Sequence, residues 1–163
     1  MPIITRDIVH WEVMTHIKGI LTDSKDTIDS GIRLFESAAS LRKVWMGKHD
    51  NIAGLPAVMI DPITTSPQWT GANQTAETTF ETQILVDIRN IAERESHVKY
   101  IMHLAETIKQ VLNHPNNLAF KTDVARVYDS WAGTVGYSLE SGSSIRRATI
   151  THTAKAWAVG VHI

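Results

Sequence analysis

The sequence predicts an α+β domain, with a mainly antiparallel or mixed sheet of about five strands and two helices packed on one of its faces. Three observations carry this. Segments 6–21 and 93–113 repeat apolar residues at helical period, the segment "FETQILVDIR" at 80–89 alternates strictly, and the closing "IRRATITHTAKAWAVGVHI" returns to alternation. An amphipathic helix and a one-sided strand must each bury an apolar surface, and helices laid on one sheet face satisfy both.

In chain order, Val9, Val13, Ile17, Ile20 and Leu21 recur at helical spacing, with Asp7 in the first turn where the helix dipole favours negative charge. The next stretch, "TDSKDTIDSG" at 22–31, clusters cap and turn formers and predicts a loop. Residues 32–48 mix helix-forming and extended signals and read as one irregular or bulged strand. "LPAVMIDP" at 55–62 is a short apolar run between prolines, a buried strand. A polar connection, residues 63–76, follows, and its length is unusual for a compact domain. The strand after it sets Phe80, Thr82, Ile84, Val86 and Ile88 on one face and Glu81, Gln83, Leu85, Asp87 and Arg89 on the other. Val98, Ile101, Met102, Ala105, Ile108 and Leu112 then predict a second helix, stopped by Pro115. Residues 121–143 predict a strand running into a Gly and Ser loop. The last strand sets Ala148, Ile150, Ala154, Ala156 and Ala158 against a face of Arg147, Thr149, Thr151, Thr153 and Lys155. The sheet face away from the helices is expected to be polar. No repeat or linker divides the chain, so residues 1–163 are expected to form a single domain.

Composition narrows the function. At 163 residues with 43% hydrophobic and 20% charged residues, the chain has ordinary globular usage and can bury a sizeable core. Absence of cysteine excludes disulfides and thiolate metal sites and favours an intracellular site of synthesis. The start, "MPIITRDIVHW", does not read as an export signal, and no apolar run reaches membrane-spanning length. Sixteen basic against seventeen acidic residues do not support broad electrostatic capture of nucleic acid.

The catalytic candidates fail on spacing. Glu77 and Glu81 would share a strand face, but four residues of strand separate them by about 13 Å. Glycosidase carboxyl pairs sit roughly 5 to 9.5 Å apart. The eight histidines show no ligand pattern: His10 and His16, like His97 and His103, are six apart on their helices, and His152 and His162 would lie about 33 Å apart on an extended strand. "YSLESGSS" lacks a nucleophile turn, and neither a GxxxxGK[ST] loop nor a GxGxxG fingerprint is present. Two basic pairs stand out, Arg42 with Lys43 beside Trp45, and Arg146 with Arg147. The tryptophans, Trp11, Trp45, Trp69, Trp131 and Trp157, read as core or interface anchors. Trp69 is singled out because it falls in the polar connection, where no local apolar pattern would bury it.

With catalysis unsupported, the surfaces become the candidate function, and the order of elements is informative. An N-terminal helix, an irregular strand, "LPAVMIDP", then "QWTGANQTAETTFETQILVDIR", a helix of the "KYIMHLAETIKQVLNHPNNL" kind and two closing strands together resemble the tail terminator proteins of long-tailed bacteriophages. The resemblance spans nearly the whole chain and is strongest over 55–118. It implies a virion protein of the head-proximal end of the tail, assembled in the host cytoplasm, without cofactor, metal or membrane. It further implies a ring, usually a hexamer, that binds the end of the tail tube, stops its growth and offers a surface to the head connector, with DNA only in transit. The residues expected at such contacts are Trp69, Thr70, Asn73 and Gln74 of the polar connection, the pair Arg42 and Lys43, and Arg147 and Lys155 on the last strand. A neck or tail-completion protein of the same architecture is the first alternative, and a small nucleic-acid-binding α+β module the second.

Overall fold

A computed structural model of the chain describes residues 6–32, 43–47, 55–70, 75–89, 94–139 and 145–158. Within them the elements are α1 (Arg6–Asp23), α2 (Lys25–Ile32), β1 (Lys43–Met46), β2 (Ala57–Thr70), β3 (Thr75–Arg89), α3 (Arg94–Leu112), β4 (Phe120–Lys121), β5 (Ala125–Leu139) and β6 (Ile145–Ala158), with a 3-10 turn at Pro115–Asn117. The strands form one mixed sheet in the order β1-β2-β3-β6-β5-β4, in which the β1–β2 pair is parallel and all others are antiparallel. This is the expected α+β class, with one more strand and one more helix than the sequence indicated.

The core lies between one sheet face and the helices. Val9, Val13, Ile17 and Leu21 of α1, Ile28 of α2, and Ile101, Leu104, Ala105, Ile108 and Leu112 of α3 pack in one cluster with Val58, Ile60, Phe80, Ile84, Val86, Ile88 and Ile150. Ala148, Ala154 and Ala156 of β6 belong to the same cluster, and their small side chains let the helices approach the central strand. From Thr78 to Ile88 the even-numbered face of β3 is buried, Thr82 included, as the 80–88 alternation predicted.

Three local expectations are corrected. Residues 22–31 are not a loop, because α2 continues α1 after a break at Ser24, whose N–H donates to the Ile20 carbonyl and whose carbonyl accepts from the Ile28 N–H. The buried Ile28 docks this polar helix, and Lys25 pairs with the buried Asp29 at 2.8 Å. On α3, Val98 and Met102 do not join the core but are 37% and 47% exposed; Leu104, which the expected set omitted, is buried instead. The apolar stripe of α3 is simply wider than the surface the sheet covers.

Residues 63–76, expected as a loop, are mostly strand. β2 and β3 are 14 and 15 residues long and stay in register from Ala57 opposite Asp87 out to Thr70 opposite Thr75, with one bulge between Pro62 and Thr64. β-branched threonines at 64, 65, 70, 75, 78 and 79 favour this extended arm. The strand expected within 121–143 is β5, which runs through Gly133 and Gly136 to Leu139, and residues 140–143 lie outside the described residues. Of the irregular strand expected at 32–48, β1 is the described strand, and residues 33–42 lie outside the described residues.

Candidate assembly interface

Among the described residues all three helices pack on one side of the sheet, so the opposite face is built from side chains of the strands, with Lys43 and Trp45 of β1 beside Ala57 and Met59 of β2. The register orders that face into cross-strand rows. One end is closed by Asp87 and Arg147, which are direct partners in the ladder: Arg147 Nε donates to Asp87 Oδ1 at 2.7 Å and Nη2 to Oδ2 at 2.8 Å. Met59, Leu85 and Ala57 are buried beside them, so this end is not the uniformly polar surface that the sequence suggested. The middle is polar and half-buried. There Gln83 donates to Asp61 at 3.1 Å, Thr64 donates to Glu81 at 2.7 Å, and Thr149, Thr151 and Thr153 line β6. Glu81 is thereby held by Thr64, while Glu77 interacts with Tyr128, so the two carboxylates serve different partners.

The other end is aromatic. Tyr128, Trp131 and Trp157 are each 37–38% exposed. Tyr128 and Trp157 lie with ring centroids 6.1 Å apart, and Lys155 Nζ stands 5.8 Å from the Trp131 ring. Desolvation against the sheet, and then the hydrogen bond to Glu77 with the charges of Glu77 and Asp129, push the Tyr128 phenol up to about 12. It stays a proton donor at any physiological pH. A bulge between Val127 and Asp129 brings Tyr128 onto the same face as Trp131. Rigid aromatic area rimmed by charges of both signs is the composition of an interface anchor.

The residues expected at contacts distribute as follows. Trp69 and Thr70 fall at the end of β2, their backbones paired with Ala76 and Thr75, so Trp69 stands on a strand and not in a loop. Lys43 opens β1 and its Nζ sits 3.7 Å from the Trp45 ring, which makes this pair an intramolecular cation–π contact. Arg147 is engaged by Asp87, and Lys155 lies in the aromatic end just described. Asn73, Gln74 and Arg42 lie outside the described residues. Tyr128, Trp131 and Trp157 were not distinguished by the sequence as a group.

Behind the core face, the histidines of α1 are packing residues. His10 is buried between the hydroxyls of Thr65 at 3.1 Å and Thr82 at 2.9 Å, and His16 stacks on Phe120 with centroids 3.7 Å apart. His152 is buried on β6, where desolvation and the proximity of His16 bring its pKa down to about 4. No group of three or more histidine and carboxylate side chains is placed to hold a metal ion among the described residues.

No protein-family model matches the chain, and no curated protein matches it. Among solved structures the fold is similar to a chain of the "Virion of native gene transfer agent (GTA) particle", with a TM-score of 0.57 and 11% identity over 90% of this chain and 95% of that one. At that identity the likeness concerns the fold, and it is close to end to end in both chains.

Proposed function

We propose that this protein is a structural component of a phage-like virion, and specifically a tail terminator: a ring that caps the tail tube, halts its polymerisation and presents a surface to the head connector. The observation that carries the reading is the end-to-end fold likeness to a chain of a gene transfer agent virion. The aromatic end of the open sheet face, with Lys155, and the end of β2 at Trp69 and Thr70 are the surfaces assigned to neighbouring virion proteins, and Asn73 and Gln74, which follow in the sequence, are proposed as contacts with them. The role requires binding surfaces and no catalysis, cofactor or metal. A near-neutral chain also suits a channel through which DNA passes, because each Lys or Arg held on phosphate would add a salt-sensitive affinity that retards transit.

Deleting the gene from the particle that encodes it tests the reading by electron microscopy. A terminator's loss leaves tubes of uncontrolled length that do not join heads, and the chain supplied in trans restores both. Tubes of normal length beside tailless filled heads would instead identify a neck protein, and unaltered particles would remove the virion role.

A further inference from the structure

Both outer strands of the sheet are short, and among the described residues each leaves part of a long neighbour without a partner strand. β1 pairs with β2 only from Ala57 to Ile60, and Gly47 N–H adds one bond to the Ile60 carbonyl. Beyond that, among the described residues, no strand lies against β2 from Asp61 to Thr70. On the opposite side β4 pairs with Arg126 and Val127 of β5. Asn113 then acts as a one-residue substitute strand: its Nδ2 donates to the Ala132 carbonyl and its Oδ1 accepts from the Ala132 N–H. No strand among the described residues covers β5 from Gly133 to Leu139. Open edges of this length are pairing templates that monomers ordinarily blunt. Pro62 and Pro67 do remove two donors from β2, which limits it to selected registers.

Each open edge is flanked by exposed apolar side chains. In line with the end of β1, a groove of about 660 Å³ runs between α1 and β2, with Ile8, Trp11, Met14, Met46, Pro62 and Thr65 among its walls. Ile8 and Trp11 on its rim are exposed, as is Ile63 at the β2 bulge. Beside the β5 edge stand Tyr137 and Leu139, on the helix side of the sheet, together with Val98 and Met102 of α3. The last two share a helix stripe with Glu106, whose charge acts on Tyr137. Seven of the exposed large apolar residues thus fall at the two edges. The edges are also complementary in direction. β2 and β6 run the same way, and β5 runs against both. The ladder sets Gly136 level with Met59 and Ser66 level with Asp129, so a second copy must also be displaced along the strands by about seven residues, roughly 23 Å, for its open β5 to lie antiparallel on the first copy's open β2, helix side to helix side.

We propose that the occupant of the β2 edge is β5 of a second copy of this chain, so that residues 133–139 of one subunit extend the sheet of the next and Tyr137 and Leu139 meet the Ile8 and Trp11 rim. Two unlike edges make the contact heterologous, and with the strands inclined to the ring axis, as in a barrel, the stagger is taken up and repeated contacts close into a ring. This rests on the ring proposed above and names how its subunits join.

The chain contains no cysteine, which allows a direct test. Ser66 and Gly136 are exposed, Gly136 has open space around it, and each faces away from the helices. S66C is paired with T134C, G136C or S138C to sample the register, and oxidation is followed on non-reducing gels alongside native mass, for purified chain at high concentration and in assembled particles. For one of these pairs the double variant should give a ladder of covalent oligomers ending at the ring number. The matching single variants should form dimers only when mixed with each other. Rings in native mass or particles without cross-links at any of the three registers, or with cross-links within one single variant, would overturn the edge pairing and leave the ring intact. A chain that is monomeric in solution and absent as a ring from particles would overturn both.

Discussion

Arg147 grips Asp87 with two parallel hydrogen bonds at 2.7 and 2.8 Å, and the two residues are also direct partners across the β3–β6 ladder. Their side chains are 14% and 3% exposed, so the pair is nearly dry. A charge left alone there has no water to replace its partner. Arg147→Met should therefore destabilise the fold by about 3–5 kcal/mol, the scale for breaking a buried pair from one side. The double variant Asp87→Leu with Arg147→Met should recover much of that loss, because no charge remains stranded. Urea denaturation of the cycle measures it, and a single variant within 0.5 kcal/mol of the parent would show that Arg147 is available to a partner after all.

Acid should loosen the docking of α1. His152 has its folded pKa brought down to about 4 from an ordinary value of 6.5, and burial lowers His10 and His16 in the same direction. These groups are held neutral, so the unfolded chain takes up protons more readily than the folded one. Their contribution is present above about pH 6.5 and is lost as pH falls toward 4. The shift at His152 alone corresponds to about 3 kcal/mol. Unfolding free energy measured between pH 7 and 5 should fall in the parent and fall less steeply in His152→Leu. Equal slopes would mean that His152 is solvated in the folded state.

Legibility in the sequence followed how many neighbours each pattern needed. The 80–88 alternation was readable because β3 has one face wholly in the core, and the α3 helix because Ile101, Ala105, Ile108 and Leu112 repeat within one element. α2 was hidden because the buried Ile28 sits amid residues that otherwise favour turns. The β2–β3 arm was masked by Pro62, Pro67 and a glycine, although its threonines pointed to strand. The aromatic end of the open face could not be read from alternation, because the β5 bulge shifts Tyr128 out of phase. The two open edges belong to the topology and have no local signature.

Two glycines should respond oppositely to the same change. Gly19 lies within α1 with nothing near a would-be Cβ, so Gly19→Ala should stabilise by about 0.5–1 kcal/mol through helix propensity. At Gly31 the new methyl would meet Thr107 Cγ2 at 3.2 Å and Oγ1 at 3.3 Å. Thr107 is itself tied to the His103 carbonyl, and His103 Nε2 bonds the Gly31 carbonyl at 2.8 Å. Gly31→Ala should therefore show no gain, and Gly31→Val should cost about 1–3 kcal/mol by overpacking. Thermal melts compare them directly; equal gains for both alanines would place α2 further from α3.

The aromatic end and the arm tip should matter for assembly far more than for folding. Trp131 and Trp157 stand on the open face, outside the core cluster, and Trp69 sits at the end of β2 beside Thr70. Truncating Trp131 or Trp157 removes partly solvated area, so each Trp→Ala variant should shift the unfolding free energy by less than about 1 kcal/mol. Trp69→Ala is expected to behave alike. If these residues anchor a tube or connector subunit, the same substitutions should weaken capping or head joining by about 1–3 kcal/mol, the range of an interface hot spot. Lys155→Ala, which leaves the rings in place, should fall below them. The readouts are melting temperature for the fold, and tube length with the fraction of joined heads for assembly. A Trp variant that melts early is a packing residue, while variants that cap tubes and join heads at parental levels would move the contact to the sheet edges and away from the open face.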